Sequence, residues 1–86
     1  MNHHTTADFW NCYNQLPDAI RKPADANFEL LRADSCHPSL HFKRVGRFWS
    51  VRVGIGYRAV AVENDDGLVW FWIGSHPEYF LLIQGR

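Results

Sequence analysis

The chain has 86 residues, of which 47% are hydrophobic and 15% aromatic, with nine Lys and Arg balanced by nine Asp and Glu. A chain of that length makes one domain, residues 1–86, and removes only about 60–65% of its unfolded surface from water, so its core is thin and depends on bulky rings. Disorder is excluded by the composition, and zero net charge gives no global reason to expect a polyanion partner.

The longest apolar runs, Leu68 to Gly74 and Phe80 to Ile83, fall far short of the ~20 residues of a membrane span, so no membrane association is expected. The polar opening Met1 to Thr6 is followed by no secretory apolar stretch. Cys12 and Cys36 lack a CxxC spacing and lie in different predicted elements, which points to free thiols and a cytoplasmic location. Charge is unevenly spread. Residues 40–58 carry Lys43, Arg44, Arg47, Arg52 and Arg58 and no acid, whereas residues 1–39 carry Asp8, Asp18, Asp25, Glu29 and Asp34 against Arg21, Lys22 and Arg32. A neutral protein can thus present one strongly positive surface.

Met1 to Thr5 leaves room for a ragged terminus or a short N-terminal edge strand. Thr6 is a good N-cap with Asp8 in the first turn, and Phe9, Cys12, Tyr13 and Leu16 form one buried stripe of a first helix. Pro17 suits the opening of a second, with stripe Ile20, Ala24, Phe28 and Leu31. Pro23 in its interior, at a cost of about 3 kcal/mol, predicts a kink or short break. Ser35 to Ser39 is a connector, and His37 before Pro38 is held extended.

Four strands follow, Leu40–Val45, Phe48–Val53, Tyr57–Glu63 and Leu68–Gly74, joined by turns at Gly46-Arg47, Gly54-Ile55-Gly56 and Asn64-Asp65-Asp66-Gly67. Loops this short make neighbours antiparallel and set the register. Arg52 should oppose Arg58, His41 should oppose Arg52, Lys43 should oppose Ser50, Glu63 should oppose Leu68, and Ile73 should lie beside Arg58. One face, with Leu40, Phe42, Trp49, Val51, Val53, Tyr57, Ala59, Ala61, Trp70 and Trp72, awaits the helices. The other carries His41, Lys43, Ser50, Arg52 and Arg58 at one end and Val60, Val62, Val69 and Phe71 at the other. The expected fold class is α+β: an N-terminal helical hairpin packed on one face of a twisted, mainly antiparallel four-stranded sheet.

Opposed arginines repel by a few tenths of a kcal/mol or more, approximately, and a bound polyanion would relieve the cost. With His41 and Lys43 they make a candidate phosphate-binding patch; the plainer reading is a solvated strand face or ion pairs with the helix acids. His76 suits a general acid or base, because an imidazole exchanges protons near neutral pH; otherwise it merely ends the last strand. Tyr79 is a packing ring or a ring that stacks on a base or orients an attacking hydroxyl, and Phe80 can stack without offering a proton. Cys36, His37 and His41 meet no zinc spacing, so no metal is expected. Gly54 and Gly56 lie in a hairpin and read as turn formers.

The phrases HPSLHFKRVG, FWSVRVGIGYRA and VWFWIGSH and the EY after them, in this order of elements, resemble the RelE/ParE superfamily of bacterial type II toxins over residues 6–83. The resemblance implies a helical hairpin on a twisted sheet with an active cleft on the sheet's other face, and a cognate antitoxin that holds the toxin inactive. RelE-like members cut messenger RNA, usually in the ribosomal A site, and need no metal or cofactor. Position by position, Arg52 falls where such toxins have a strand cation before the Gly-rich turn, and Arg58 matches the Arg of their GYR. His76 in GSH matches a catalytic His or Arg, and Tyr79, or else Phe80, stands for the aromatic that stacks on the substrate base. The implied mechanism is attack of an RNA 2′-hydroxyl on the adjacent phosphate, with Arg52 and Arg58 offsetting phosphoryl charge and His76 moving the proton. Lys43 and His41 would hold the RNA backbone.

The chain departs from that pattern at Ser50, where some relatives carry lysine, and in being neutral where ribosome-dependent relatives are markedly basic. Two other readings stay open: ParE-like inhibition of DNA gyrase by binding alone, and an inactive homologue that only binds antitoxin. Val60, Val62, Val69 and Phe71 are expected to leave an uncovered apolar area beside the cations, to which an acidic and apolar antitoxin segment would bind.

Overall fold

In the computed structural model, which describes residues 2–84, Thr6 accepts the Phe9 N–H at 3.1 Å and caps α1 (Ala7–Asn14). The helix starts where the side-chain oxygen satisfies a donor that has no partner within the helix. Helix α2 (Asp18–Ala33) runs through Pro23 without the short break, one of the two expected outcomes. Pro23 sits early in the helix, so the bond it forgoes belongs to the opening turns, and burial of Ala24 and Leu31 holds the longer stretch that follows it against the sheet.

The sheet has five strands in the order β1-β5-β4-β3-β2, one more than the four expected. Strand β1 (Asn2–Thr5) is the N-terminal edge strand and runs parallel to β5 (Gly67–Ser75), while β2 (Lys43–Val45), β3 (Phe48–Val53) and β4 (Tyr57–Asn64) pair antiparallel in sequence. Gly67, the last residue of the third predicted turn, lies so close to the Asn2 carbonyl that a side chain there would collide with β1.

Loop length fixes most of the register as expected: Arg52 opposes Arg58, Lys43 opposes Ser50 and Glu63 opposes Leu68. Two departures matter. First, Pro38–Leu40 form a 3-10 turn whose N-cap His37 accepts the Ser39 N–H, and His41 follows in the left-handed region at φ 47°. Strand β2 therefore begins only at Lys43, and His41 does not oppose Arg52. Pro38 favours this turn because a proline at the first helical position gives up a bond that would be unmade anyway. Second, β5 carries a bulge. Ala61 pairs with Trp70 but Val60 pairs with Trp72, so Phe71 is the extra residue. Beyond it Arg58 opposes Gly74 rather than Ile73, Ile73 enters the helix-side core, and Trp72 moves to the opposite face.

The helix-side core joins Leu16, Ala24 and Leu31 to Leu40, Val51, Val53, Ala59, Ala61, Leu68, Trp70 and Ile73. A second core lies on the other face, where Phe48, Val60 and Tyr79 pack with Val62, Phe71, Trp72, Leu82 and Ile83. Its lid is a helix not expected from the strand reading, α3 (His76–Gln84). The Glu78 carboxylate accepts both the Ser75 N–H at 3.3 Å and the Ser75 hydroxyl at 2.8 Å, tying the strand end to the first turn in the manner of a capping box. The apolar area expected to stay uncovered is thus largely closed by α3; Val60 is 0% exposed. Among the described residues no helix is long and apolar enough to cross a membrane.

Candidate functional site

Strands β3 and β4 point Ser50, Arg52 and Arg58 to the face that α3 partly covers. Arg52 Nε donates back to the Gly54 carbonyl at 3.1 Å, and Arg58 Nη1 donates to Ser50 Oγ at 3.3 Å. Ser50 is buried at 0% exposure, so its hydroxyl serves to orient Arg58 rather than to meet a ligand. Lys43 sits across from Ser50 on the same face and is exposed. Among the described residues, ion pairs occur only within α2, between Arg21 and Asp18 and between Arg32 and Glu29. The helix acids do not neutralise the cationic face.

The start of α3 is fastened to the same end of the sheet, where the His76 N–H donates to the Gly56 carbonyl at 2.8 Å. From there three rings run in succession. The Arg58 guanidinium lies over the Tyr79 ring, 5.3 Å from its centroid; His76 is 5.8 Å from Tyr79; Phe80 is 4.6 Å from His76, edge to face. A cation over a ring face is attracted by the ring quadrupole, which fixes where the guanidinium points. Tyr79 is 3% exposed and Phe80 45%, so of the two aromatics only Phe80 offers a ring to an incoming planar group.

The structure therefore brings together Arg52, Arg58, His76, Tyr79 and Phe80, with Lys43 alongside, and leaves His41 outside the ladder. The strand reading missed Arg47 as a member of this face: its guanidinium lies over Phe48, 5.3 Å from the ring centroid, on the side of Ser50 and Arg52. Its position in a turn hid that orientation. The missed helix α3 had a sequence signal, Ser75-His76-Pro77-Glu78, an S-x-x-E start with a proline in the first turn.

The molecule is thus an α+β protein with two helices over one face of its sheet and a cationic, ring-lined site beside a C-terminal helix on the other. No family model matches the sequence, and no curated protein does. Among solved structures it is similar to a chain of the RelB-RelE antitoxin-toxin complex from Methanococcus jannaschii, with TM-score 0.71 and 18% identity over 92% of this chain and 96% of that one. It is similar also to the isolated E. coli RelE toxin, with TM-score 0.62 and 10% identity over 96% of this chain and 95% of that one. A mutant toxin from Helicobacter pylori gives TM-score 0.59 and 17% identity over 91% and 97%. The fold is RelE-like.

Proposed function

We propose that the protein is the toxin of a type II toxin–antitoxin pair and an endoribonuclease that cuts messenger RNA through attack of a 2′-hydroxyl on the adjacent phosphate, without metal or cofactor. The observation that carries this reading is the unneutralised Arg52 and Arg58 pair joined through Tyr79 to His76 and Phe80. In it, Arg52 and Arg58 bind the phosphoryl oxygens and offset charge as it develops, while His76 takes the proton of the 2′-hydroxyl as that oxygen bonds to phosphorus and returns it to the 5′-oxygen, which leaves as the P–O5′ bond breaks. Phe80 stacks on a base, while Tyr79, buried beneath Arg58, holds that guanidinium in place. Lys43 and Arg47 contact flanking phosphates, and His41, turned out of the ladder, is left without a part in it.

The partner is a cognate antitoxin; two of the solved neighbours are RelB-RelE and RelBE complexes. With the strand face largely closed by α3, the apolar side chains exposed toward this end of the sheet among the described residues include Phe80, which packs on His76 and Tyr79 beside Arg58, Leu81 on the same helix, and Ile55 in the turn between Arg52 and Arg58, which are 45%, 72% and 85% exposed. An acidic segment carrying apolar side chains matches both features.

The test is induction of the wild type against Arg58→Ala and His76→Ala, with message ends mapped by primer extension and purified protein assayed on free and ribosome-bound RNA. Wild-type arrest with new message ends, lost in both variants, is the expected result. Arrest with intact messages and DNA damage would overturn the nuclease reading in favour of gyrase inhibition, and antitoxin binding without arrest would make the chain an inactive homologue.

A further inference from the structure

On the helix side, α1 and α2 straddle the sheet without closing over it. Their link across the gap is Tyr13, whose hydroxyl donates to Asp25 Oδ1 at 2.7 Å, a bond that pushes the phenol pKa up. Between them lies a cavity of about 80 Å³. The space exists because Ala24 on the helix wall and Ala59 on the sheet floor are small, with Val51, Val53 and Ile73 completing the floor. Two of its lining residues, Trp10 and Phe28, are large and apolar yet 47% and 37% exposed, which puts the mouth between them.

The lining is almost wholly apolar, and three N–H groups at its edge are turned to partners within the protein. Trp10 Nε1 donates to Thr5 Oγ1 at 2.9 Å, Asn27 Nδ2 to the Arg52 carbonyl at 3.1 Å, and Trp70 Nε1 to His3 Nδ1 at 3.0 Å. A water held in a protein needs two to four polar partners, and an apolar void that lacks them stays dry and accepts apolar guests. An engineered cavity of ~150 Å³ takes up benzene. This one is about half that volume but open at one side, so a ring can stand partly in the mouth. A charged group would find no counter-ion among the lining residues, and a fused bicyclic core would leave more of its surface in water than a single ring does.

We propose that the cleft between α1 and α2 is a binding site for a small uncharged arene of one ring, inserted between Trp10 and Phe28 and resting on Ala24 and Ala59. The site lies on the opposite face of the sheet from Arg52 and Arg58, and its occupancy is independent of any nuclease activity.

The experiment is a titration of the methyl-labelled full chain with benzene, and with benzoate as the charged control, followed by methyl NMR. Saturable shifts at the Ala24, Val51, Val53, Ala59 and Ile73 methyls with benzene, and none with benzoate, are expected. Ala24→Leu should fill the space and weaken benzene binding at least tenfold while methyl dispersion stays native; should that variant not fold, Ala59→Val fills the floor instead. The proposal is overturned by the absence of saturation up to the solubility of benzene, by an equal response to benzoate, by unchanged affinity in a folded filled variant, or by shifts confined to Leu81 and Leu82 on α3.

Discussion

Arg52 and Arg58 occupy one rung of the β3–β4 ladder, and their side chains are drawn apart, Arg52 to the Gly54 carbonyl and Arg58 to Ser50 and the Tyr79 ring. The parting reduces the repulsion and does not remove it. Arg52→Met should therefore raise unfolding free energy by a few tenths of a kcal/mol, roughly, at low ionic strength. At 1 M salt, where the Debye length falls to about 3 Å, the gain should shrink toward zero. Denaturant titrations at the two salt concentrations measure it; a variant less stable than wild type at low salt contradicts the repulsion.

The same pair sets the salt dependence of RNA binding under the proposed function. Each arginine that neutralises a phosphate releases counterions, so Arg52→Met and Arg58→Met should each weaken binding across all sequences. Each should also flatten the slope of log affinity against log salt by about one. Fluorescence anisotropy with two unrelated oligonucleotides at several salt concentrations reads both quantities. Loss confined to one sequence would instead assign the residue to base recognition.

Gly74 is fixed by the Trp72 ring. A Cβ at that position would stand 2.6 Å and 2.9 Å from Trp72 Cζ2 and Cη2, inside any tolerable contact. Gly74→Ala should cost roughly 1–3 kcal/mol, the usual range for overpacking, and should alter the near-ultraviolet dichroism as the indole moves. A variant of wild-type stability would mean that the ring swings clear.

The same stretch shows where the sequence stopped being informative. Short hairpin loops gave the pairings of Val45, Arg52 and Glu63, because a tight turn leaves no freedom in register. The last loop is two residues rather than the four expected, since Asn64 and Gly67 also pair, which extends both strands by one residue and leaves the register unchanged. Leu68 to Ile73 has no polar residue to mark a face, so alternation could not reveal that Phe71 is bulged and that Trp72 and Ile73 exchange sides. The arginine pair was legible from loop length alone; its link to Tyr79 and Phe80 was not, since it depends on the angle at which α3 returns over the sheet. The pairing of His41 with Arg52 failed for a local reason, the turn that Pro38 starts.

Helix α3 positions His76, Tyr79 and Phe80 through the Ser75 and Glu78 contacts at its first turn. Capping substitutions cost about 1 kcal/mol in typical proteins. Glu78→Ala should destabilise the chain by that order and raise amide exchange in α3 first, ahead of β3 and β4. Uniform acceleration across the sheet would instead mean that α3 and the sheet open as one unit.

His3 supplies a pH-dependent contact at the edge strand. Its Nδ1 accepts the Trp70 indole N–H at 3.0 Å, which requires that nitrogen to be unprotonated, and the imidazole stacks on the same indole at 6.1 Å. Burial, and after it nearby positive charge that includes Arg32, holds the His3 pKa below its ordinary 6.5. With the folded value below the unfolded one, the unfolded chain binds more protons in the window under 6.5, so stability rises with pH there. The contribution of His3 is fully present above that window and is lost as pH falls into it. His3 is half-buried, and solvent screening keeps the effect small. His3→Gln retains an acceptor and does not titrate, so the wild type should lose stability relative to it between about pH 7 and about pH 5. Comparing the two proteins isolates His3, since the rest of the chain is common to both, and parallel stability profiles would show that the Trp70 contact does not depend on the state of His3.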